Sequence, residues 1–307
     1  MENSWFDYIL QNREKQWDLS AISMNPNVTW ETVQAHPEFE WDYETLSANR
    51  NITPDIILAN LDKPWCWWYV SANPSTTWEF VVGHNEFPWN FANLQRYVNV
   101  TPEFIESHPE IPWDHLELSY NYGMTWQFIR ANLDKPWSFA VLSKHPCITL
   151  DVIWANPQLP WDMVEFHKNP NLTWDIVQAH PDVDWSYKEL SQHKNITWDI
   201  VQAHPDRAWR YDVMSYNKNI TWDIVMANLD KPWNFSFLSS NPIISWETVQ
   251  ANPDQPWCFS SLSYNPSIAM ENIFTNPQFP WSFILLSMNK MSKDPRFETD
   301  QLSYVLK

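Results

Sequence analysis

The sequence predicts an all-α protein, an α-solenoid of about twelve 24-residue units with two short helices each. Two observations lead to this fold class: tryptophan recurs at a fixed spacing, and residues that start and stop helices occur twice per unit. The first tryptophan series has a spacing of 24 without insertion or deletion: Trp17, Trp41, Trp65, Trp89, Trp113, Trp137, Trp161, Trp185, Trp209, Trp233, Trp257 and Trp281. A second series follows 13 residues later: Trp30, Trp78, Trp126, Trp174, Trp198, Trp222 and Trp246. One repeated structural unit therefore explains most of the 23 Trp.

The first half of each unit predicts one short helix. Asp, Asn or Ser follows most first-series tryptophans and is a suitable N-cap, as at Asp42. An aromatic residue such as Tyr43 comes next, and an apolar residue such as Leu46 follows three positions later. This spacing places both side chains on one face of a helix. Ser and then Asn or His close the element.

The second half of each unit predicts another helix, of about two turns. Thr usually precedes the second-series position, as at Thr29, and its side chain suits an N-cap. Pro54 and Pro102 replace Trp at the next position, where proline is tolerated as the first residue of a helix. Val or Ile recurs three residues later, from Val33 to Ile273, and Asn or His, usually followed by Pro, ends the helix. Helices this short are marginal alone, so stacking of neighbouring units must supply the core.

A leucine-rich-repeat-like solenoid is the alternative fold, because its period is similar. Against it, the leucine position lacks β-branched neighbours, and helix-start residues occur twice per unit. In the helical interpretation, residues 17–289 form one continuous array of repeats. Residues 1–16 are an N-terminal capping half-repeat, in which Ser4-Trp5 matches the Thr-Trp half-repeat one residue out of phase. Residues 290–307 are a polar C-terminal cap.

Composition excludes several classes of function. The net charge of -18 repels polyanions, so general nucleic-acid binding is not expected. No apolar stretch approaches the ~18 residues of a membrane helix, so no membrane association is expected. The acidic, polar start of the chain is unlike a signal peptide. Three Cys without CxxC spacing indicate a reducing compartment, and we expect a cytoplasmic protein.

The repeat unit also resembles a known family. Its consensus begins Asn-Pro-Asn, then Ile or Val, Thr-Trp, and Asp or Glu; it continues through Val and Ala and ends Asn-Pro-Asp-Lys-Pro-Trp. Residues 169–185, 217–233 and 241–257 follow this consensus with a few replacements each. This unit is similar to tandem repeats in uncharacterised proteins of giant DNA viruses of amoebae. The resemblance implies expression in a host cytoplasm or packaging in a virion. It carries over no catalytic residue.

The titratable residues follow the repeat, and we expect no catalytic, cofactor or metal site. Seven of the nine His occupy positions that otherwise hold Asn at helix ends: His36, His84, His108, His145, His180, His193 and His204. Most carboxylates fall in three repeated positions that suit N-caps, first turns and a solvated edge. Acid–base catalysis needs carboxylates in unlike environments, and a ladder of equivalent acids gives the opposite.

Aromatic residues that depart from the repeat are the best candidates for function. Six large side chains lie at variable positions that the predicted core does not explain: Trp68, Tyr69, Tyr120, Trp154, Tyr216 and Tyr264. Exposed aromatic residues mark interaction surfaces. We therefore expect a non-enzymatic protein-interaction or scaffolding solenoid with an unknown protein partner. The alternatives are a structural protein of a virion or assembly and, with less support, single-stranded RNA binding by aromatic stacking.

Overall fold

The computed structural model describes residues 4–290, and this part of the chain contains only α-helices and the turns that join them. The prediction of an all-α protein is confirmed. The leucine-rich-repeat-like alternative is wrong, because residues 4–290 contain no β-strand. The repeated Leu-Ser segment lies at a helix end, where the Ser47 hydroxyl donates to the Tyr43 carbonyl at 2.7 Å. The predicted C-terminal cap lies outside the described residues apart from Lys290.

Two sets of short helices alternate along the chain, numbered in chain order. The helices that follow first-series tryptophans are α2 (Leu19–Met24), α4 (Tyr43–Leu46), α6 (Trp67–Val70), α8 (Phe91–Tyr97), α10 (His115–Leu118), α12 (Phe139–Ser143), α14 (Met163–Phe166), α16 (Tyr187–Gln192), α18 (Tyr211–Met214), α20 (Phe235–Ser240), α22 (Phe259–Tyr264) and α24 (Phe283–Met288). The others are α1 (Ser4–Gln11), α3 (Trp30–Ala35), α5 (Pro54–Ala59), α7 (Trp78–Gly83), α9 (Pro102–Ser107), α11 (Trp126–Ala131), α13 (Leu150–Ala155), α15 (Trp174–Ala179), α17 (Trp198–Ala203), α19 (Trp222–Ala227), α21 (Trp246–Ala251) and α23 (Met270–Phe274). We call the former set first helices and the latter second helices.

The predicted caps begin both kinds of helix. The Thr173 hydroxyl accepts from the backbone N–H of Ile176 at the start of α15, and the Asp42 carboxylate accepts from the N–H of Glu44 at the start of α4. Pro54 is the first residue of α5, as its fixed φ angle allows. These local hydrogen bonds explain why helix starts could be read from the sequence.

Each first-series tryptophan closes the turn that precedes it. In all twelve, the indole Nε1–H donates to the carbonyl oxygen five residues earlier, over 2.7 to 2.9 Å. That carbonyl belongs to the Asn or His that ends the second helix, as with Trp185 and His180. The same carbonyl also accepts a backbone N–H three residues later, as His180 does from Val183, so the indole is the second donor to a group beyond the hydrogen-bonding ladder of the helix.

Serine and asparagine side chains join one repeat to the next. The Ser263 hydroxyl accepts from the backbone N–H of Ser282 at 2.9 Å. The Asn289 amide donates to the carbonyls of Ser263 and Asn265 at 2.8 and 2.9 Å, and all these side chains are buried. The same bonds recur where Asn169 meets Ser143. Buried polar residues at these positions are therefore paired across repeats.

Histidine and glutamine replace these residues and keep part of the hydrogen bonding. His145 occupies the asparagine position: its Nε2 lies 3.0 Å from the Asn121 carbonyl, and its Nδ1 accepts from the Cys147 N–H at 3.2 Å. His167 and Gln95 occupy the serine position, and each accepts from the backbone N–H 19 residues later. The expectation that these histidines are structural substitutes agrees with this geometry.

The repeats belong to two compact units. Unit 1 takes the described residues of Met1–Ile52 and Arg210–Lys307, and unit 2 is Thr53–Trp209. In unit 1, α20 packs against α22, α22 against α24, α24 against α2, and α2 against α4. In unit 2, α8 packs against α10 and α12 against α14. First helices of successive repeats are thus direct neighbours within each unit.

The first and last described repeats meet inside unit 1 through the bonds that join consecutive repeats. The Ser287 hydroxyl accepts from the Asp18 N–H at 3.0 Å, and the Asn25 amide donates to the Ser287 carbonyl at 2.8 Å. Trp17 meets Phe283 edge to face at 5.1 Å between ring centroids, as Trp281 meets Phe259 at 5.4 Å. We call this junction the seam.

Helix α1 occupies the place of a second helix at the seam. Its Phe6 stacks on Trp41 at 5.1 Å between centroids, equivalent to the contact of Trp246 with Trp281 at 5.6 Å. Phe6, and not Trp5, therefore stands at the second-series position, one residue from the alignment that the sequence suggested. Ile9 is buried in the corresponding Val or Ile position.

Candidate interaction surface

The six aromatic residues predicted for binding lie in both units. Four of them are exposed, namely Trp68, Trp154, Tyr216 and Tyr264. Tyr69 and Tyr120 are partly buried. Trp68, Tyr69 and Tyr264 belong to first helices, and Trp154 belongs to a second helix. Tyr120 and Tyr216 each follow a first helix by two residues. As binding residues they stay predictions, and their surroundings differ.

In unit 2, an ion pair lies beside one of the predicted aromatic residues, Tyr120. The Arg96 guanidinium lies over the Tyr120 ring at 4.1 Å and forms an ion pair with Glu117 at 2.6 Å. Lys144 and Glu165 repeat this pairing two repeats later, at 2.8 Å. The partial burial of Tyr120 comes from Arg96, which lies 24 residues earlier, at the same position of the preceding repeat.

Trp68 and Trp154 are the two exposed aromatic candidates of unit 2. Trp68 meets the ring of Tyr69 edge to face, at 4.7 Å between centroids. Trp154 meets His180 in the next repeat at 4.0 Å. Each tryptophan thus has an aromatic neighbour that covers part of its ring.

In unit 1, four neighbouring first helices carry no charged residue. They are α20, α22, α24 and α2, with the sequences FSFLSS, FSSLSY, FILLSM and LSAISM. Asp212 of α18 precedes this set in the unit, and Glu44 of α4 follows it. We call the exposed side of these four helices the charge-free face. Two charges from neighbouring residues reach its edge: the Lys15 ammonium lies over the Phe283 ring at 5.5 Å, and the Asp42 carboxylate accepts a hydrogen bond from Ser20. Such a face is unusual in a chain with 37 acidic and 19 basic residues.

Apolar side chains stand out from the charge-free face. Tyr264, Ile284 and Met288 are exposed, and exposed Tyr216 adjoins the face by stacking on Phe237 at 4.0 Å. Exposed serines lie between them at positions 20, 236 and 260. Because apolar residues in contiguous helices are costly to leave in water, such a surface is typical of an interaction site.

Tyr216 and Tyr264 were predicted from the sequence as candidate binding residues, whereas Ile284 and Met288 were not. The signal was a lack of charge, not a motif. Residues 232–289 contain only three charged residues in 58 positions, whereas 18% of the chain is charged. A count of charges along the chain would have located this stretch.

One junction position shows how the two units differ chemically. Residues 21 apart meet across neighbouring first helices: Lys144 with Glu165 in unit 2, and Tyr216 with Phe237 in unit 1. The corresponding positions at the next junctions of unit 1 hold Ser240 with Ser261 and Tyr264 with Leu285. Ion pairs in unit 2 are thus replaced by uncharged pairs in unit 1.

Cys258, the N-cap of α22, titrates near neutral pH beside this face. Burial opposes ionisation of the thiol, but hydrogen bonds with Ser260 and Ser261 outweigh burial and lower its pKa to about 7. Burial raises the pKa of the Tyr216 phenol, so that this group stays neutral at physiological pH.

A neutral cleft of about 420 Å³ opens in the same stretch of unit 1. Its walls include Trp246, Trp257, Phe259 and Phe279, with the amides of Gln250, Gln255 and Gln278 at its edge. Phe259 and Phe279 also stack on each other at 4.5 Å, so these walls pack neighbouring repeats together. The residues that line the cleft are uncharged, as are the helices of the charge-free face.

Residues 4–290 hold no group of three or more His, Cys, Asp or Glu that could bind a metal ion. No helix in that range has the length and hydropathy to cross a membrane. Comparisons with protein families, curated proteins and solved structures found no match to this chain.

Proposed function

We propose that this chain is a non-enzymatic interaction protein, an α-solenoid of about twelve units whose charge-free face binds a protein partner. The observation that carries the proposal is the set of four adjacent uncharged helices with exposed Tyr264, Ile284 and Met288. Stacked short helices form extended surfaces of this kind, and such surfaces commonly bind polypeptides.

The chemistry of the face favours an uncharged partner surface. A charged group buried against α20, α22, α24 and α2 would lose its water without gaining a counter-ion on these helices. Apolar and aromatic partner side chains would instead cover Tyr264, Ile284 and Met288. The partner therefore presents apolar residues here and keeps its charges at the rim.

A structural role in a virion or another assembly is the second candidate. An exposed uncharged face also suits permanent contacts between subunits, which are more apolar than transient ones. The proposed setting, a host cytoplasm or a virion, comes from the resemblance of the repeat unit. Abundant protein in purified particles would favour this role.

Single-stranded RNA binding has less support. The net charge of -18 opposes it. Three basic residues of unit 2 that flank first helices, Arg96, Lys144 and Lys168, pair with Glu117 or Glu165. Aromatic stacking on nucleobases normally accompanies basic residues that contact phosphates.

The test is capture of a partner by the tagged chain from lysate of the cells that express it. We expect Ile284→Glu and Tyr264→Glu to weaken capture at least about tenfold, because each places an unpaired charge in the interface. Val82→Glu is the matched control, since Val82 is also exposed but belongs to unit 2.

Trp68→Ala and Trp154→Ala separate this proposal from the wider set of aromatic candidates. Equal capture by Ile284→Glu, Tyr264→Glu and the unmodified chain would exclude the charge-free face. Loss of capture in Trp68→Ala or Trp154→Ala alone would move the binding site to unit 2.

A further inference from the structure

We infer that the neutral cleft of unit 1 binds a small neutral saccharide. Its pyranose rings pack against the aromatic walls, and its hydroxyls form hydrogen bonds with the glutamine amides at the edge, those of Gln250, Gln255 and Gln278. This inference goes beyond the proposed function, because it depends neither on the charge-free face nor on a protein partner.

The aromatic walls of the cleft are held in place by their neighbours. Phe259 and Phe279 stack at 4.5 Å between ring centroids with 12° between the ring planes, and Trp281 meets Phe259 edge to face at 5.4 Å. Trp246 is almost fully buried and contacts Phe279 at 5.8 Å. Because these rings are already fixed by packing, they lose little conformational freedom when a ligand binds.

Three rings of the cleft, those of Trp257, Phe259 and Phe279, are partly exposed and open to a ligand. The Trp257 Nε1–H donates to the Asn252 carbonyl at 2.8 Å, so the polar group of this indole is occupied within the protein and its carbon surface is left for a ligand. The π face of an aromatic ring is partly negative and attracts C–H groups, which are partly positive. The volume of about 420 Å³ lies within the ~300–1,000 Å³ of small-molecule sites and suits a disaccharide.

The three glutamine amides form no hydrogen bond with any other described residue. Gln250 and Gln278 are exposed, and Gln255 is partly exposed. Asn276, the fourth amide of the cleft, instead donates to the Asn272 carbonyl at 2.8 Å and closes the end of α23. A carboxamide both donates and accepts hydrogen bonds, as a hydroxyl does. Three available amides, one on α21 and two in successive turns, therefore suit a ligand with hydroxyls around its perimeter.

The lack of charge in the cleft selects a neutral ligand. Asp254 precedes Gln255 in the chain but is exposed to solvent and does not line the cleft. A phosphate or carboxylate would lose water here without a cation among the lining residues, and an ammonium group would find no carboxylate. A pyranose with equatorial hydroxyls meets these conditions, because it is neutral, its ring faces consist of C–H groups and its hydroxyls lie around its perimeter.

Unit 2 contains an equivalent aromatic pair without the glutamines. Eight repeats earlier in the chain, Phe87 stacks on Trp67 at 4.4 Å between centroids. The three glutamine positions of that repeat pair hold Leu58, Lys63 and Glu86, and no other repeat pair has glutamine at more than one of them. The stacked pair therefore serves packing in both units, whereas the three glutamines distinguish the cleft of unit 1.

Saturation-transfer NMR of the full chain with cellobiose, a neutral β-linked glucose disaccharide, tests the site. We expect transfer from the protein to cellobiose with a dissociation constant on the order of 1 mM, a weak complex that suits this method. Gln255→Leu with Gln278→Leu removes both amides and should weaken binding at least about fivefold, because two neutral hydrogen bonds are lost. Lys63→Leu with Glu86→Leu makes the same replacements at the equivalent positions of unit 2 and should leave binding unchanged.

Absence of transfer to cellobiose would overturn the inference, as would equal binding by the glutamine variant and the unmodified chain. Gln250→Leu changes only an exposed side chain of α21, so its weaker binding would give a second confirmation in a chain whose fold is intact by circular dichroism. Adenosine and a proline decapeptide are measured beside cellobiose, and binding of either one without binding of cellobiose would also contradict the inference. The assay contains no protein partner, so its outcome is separate from the test of the proposed function.

Discussion

At the scale of single residues, the structure assigns one hydrogen-bonding task to each repeated side chain. The first-series tryptophan pairs with the carbonyl that ends a second helix, and serine and asparagine pair with the neighbouring repeat. A residue of another chemical type can form equivalent hydrogen bonds at the same position, as His145 does at an asparagine position. This explains why histidines are frequent here without forming a metal site in residues 4–290.

Trp185 and Trp174 form a matched pair that isolates the tryptophan hydrogen bond. Both are almost fully buried in unit 2, but Trp185 donates to the His180 carbonyl at 2.8 Å, whereas the Trp174 indole N–H has no partner among the described residues. Trp185→Phe removes one of the two hydrogen bonds that the His180 carbonyl accepts, since the Val183 N–H still donates to it at 3.2 Å. One such hydrogen bond contributes about 0.5–1.5 kcal/mol. We expect its free energy of unfolding to fall below that of Trp174→Phe by roughly this amount, measured by urea denaturation. An equal loss in both variants would show that the ring alone matters.

His145 and His193 make the fold sensitive to acid. Burial lowers the pKa of both imidazoles, and the hydrogen bonds to the carbonyls of Asn121 and Asn169 offset this only in part. The unfolded chain therefore binds more protons below its ordinary histidine pKa of about 6.5. Stability is complete above that pH and falls as the pH drops through it toward the lower folded-state pKa.

The repeat itself supplies the control for this pH effect, because asparagine is the usual residue at both positions. We expect the double variant His145→Asn with His193→Asn to lose less thermal stability between pH 7 and pH 5 than the unmodified chain. Thermal melts followed by circular dichroism across this range measure the difference. Parallel pH profiles would contradict the assignment of acid sensitivity to these two residues.

At the scale of elements, helices too short to persist alone are held by their ends and their neighbours. Local caps such as Thr173 and Asp42 were predictable, because the residues that form them are adjacent in sequence. The seam was not predictable, because it joins α24 to α2 and places α1 beside both through contacts between opposite ends of the chain. Without those contacts, the half-repeat at residues 4–11 is interpreted as a terminal cap.

Ile9 tests whether α1 is an integral helix of the array. Ile9 in α1 and Ile57 in α5 are both 1% exposed at equivalent positions of the repeat. Isoleucine-to-alanine changes at buried sites cost about 2–5 kcal/mol. We expect Ile9→Ala and Ile57→Ala to lower the free energy of unfolding by similar amounts, measured by chemical denaturation. A cost near zero for Ile9→Ala alone would mean that α1 is dispensable.

At the scale of the whole molecule, the repeated residues explain the helices and their packing. The residues that depart from the repeat form the candidate binding surface. Large aromatic residues off the pattern, such as Tyr216 and Tyr264, were visible in the sequence. Ile284 and Met288 were not chosen, because their significance depends on the absence of charge in neighbouring helices. Tyr120 seemed equivalent to Tyr216, but Arg96 from the preceding repeat covers part of its ring.

Hydrogen–deuterium exchange of the chain with and without its captured partner tests the central claim, that the charge-free face is the binding surface. We predict slower exchange of backbone amides in α20, α22, α24 and α2 on binding, with α6, α10 and α13 unchanged. Protection confined to α6, α10 or α13, or spread evenly over residues 4–290, would contradict the claim.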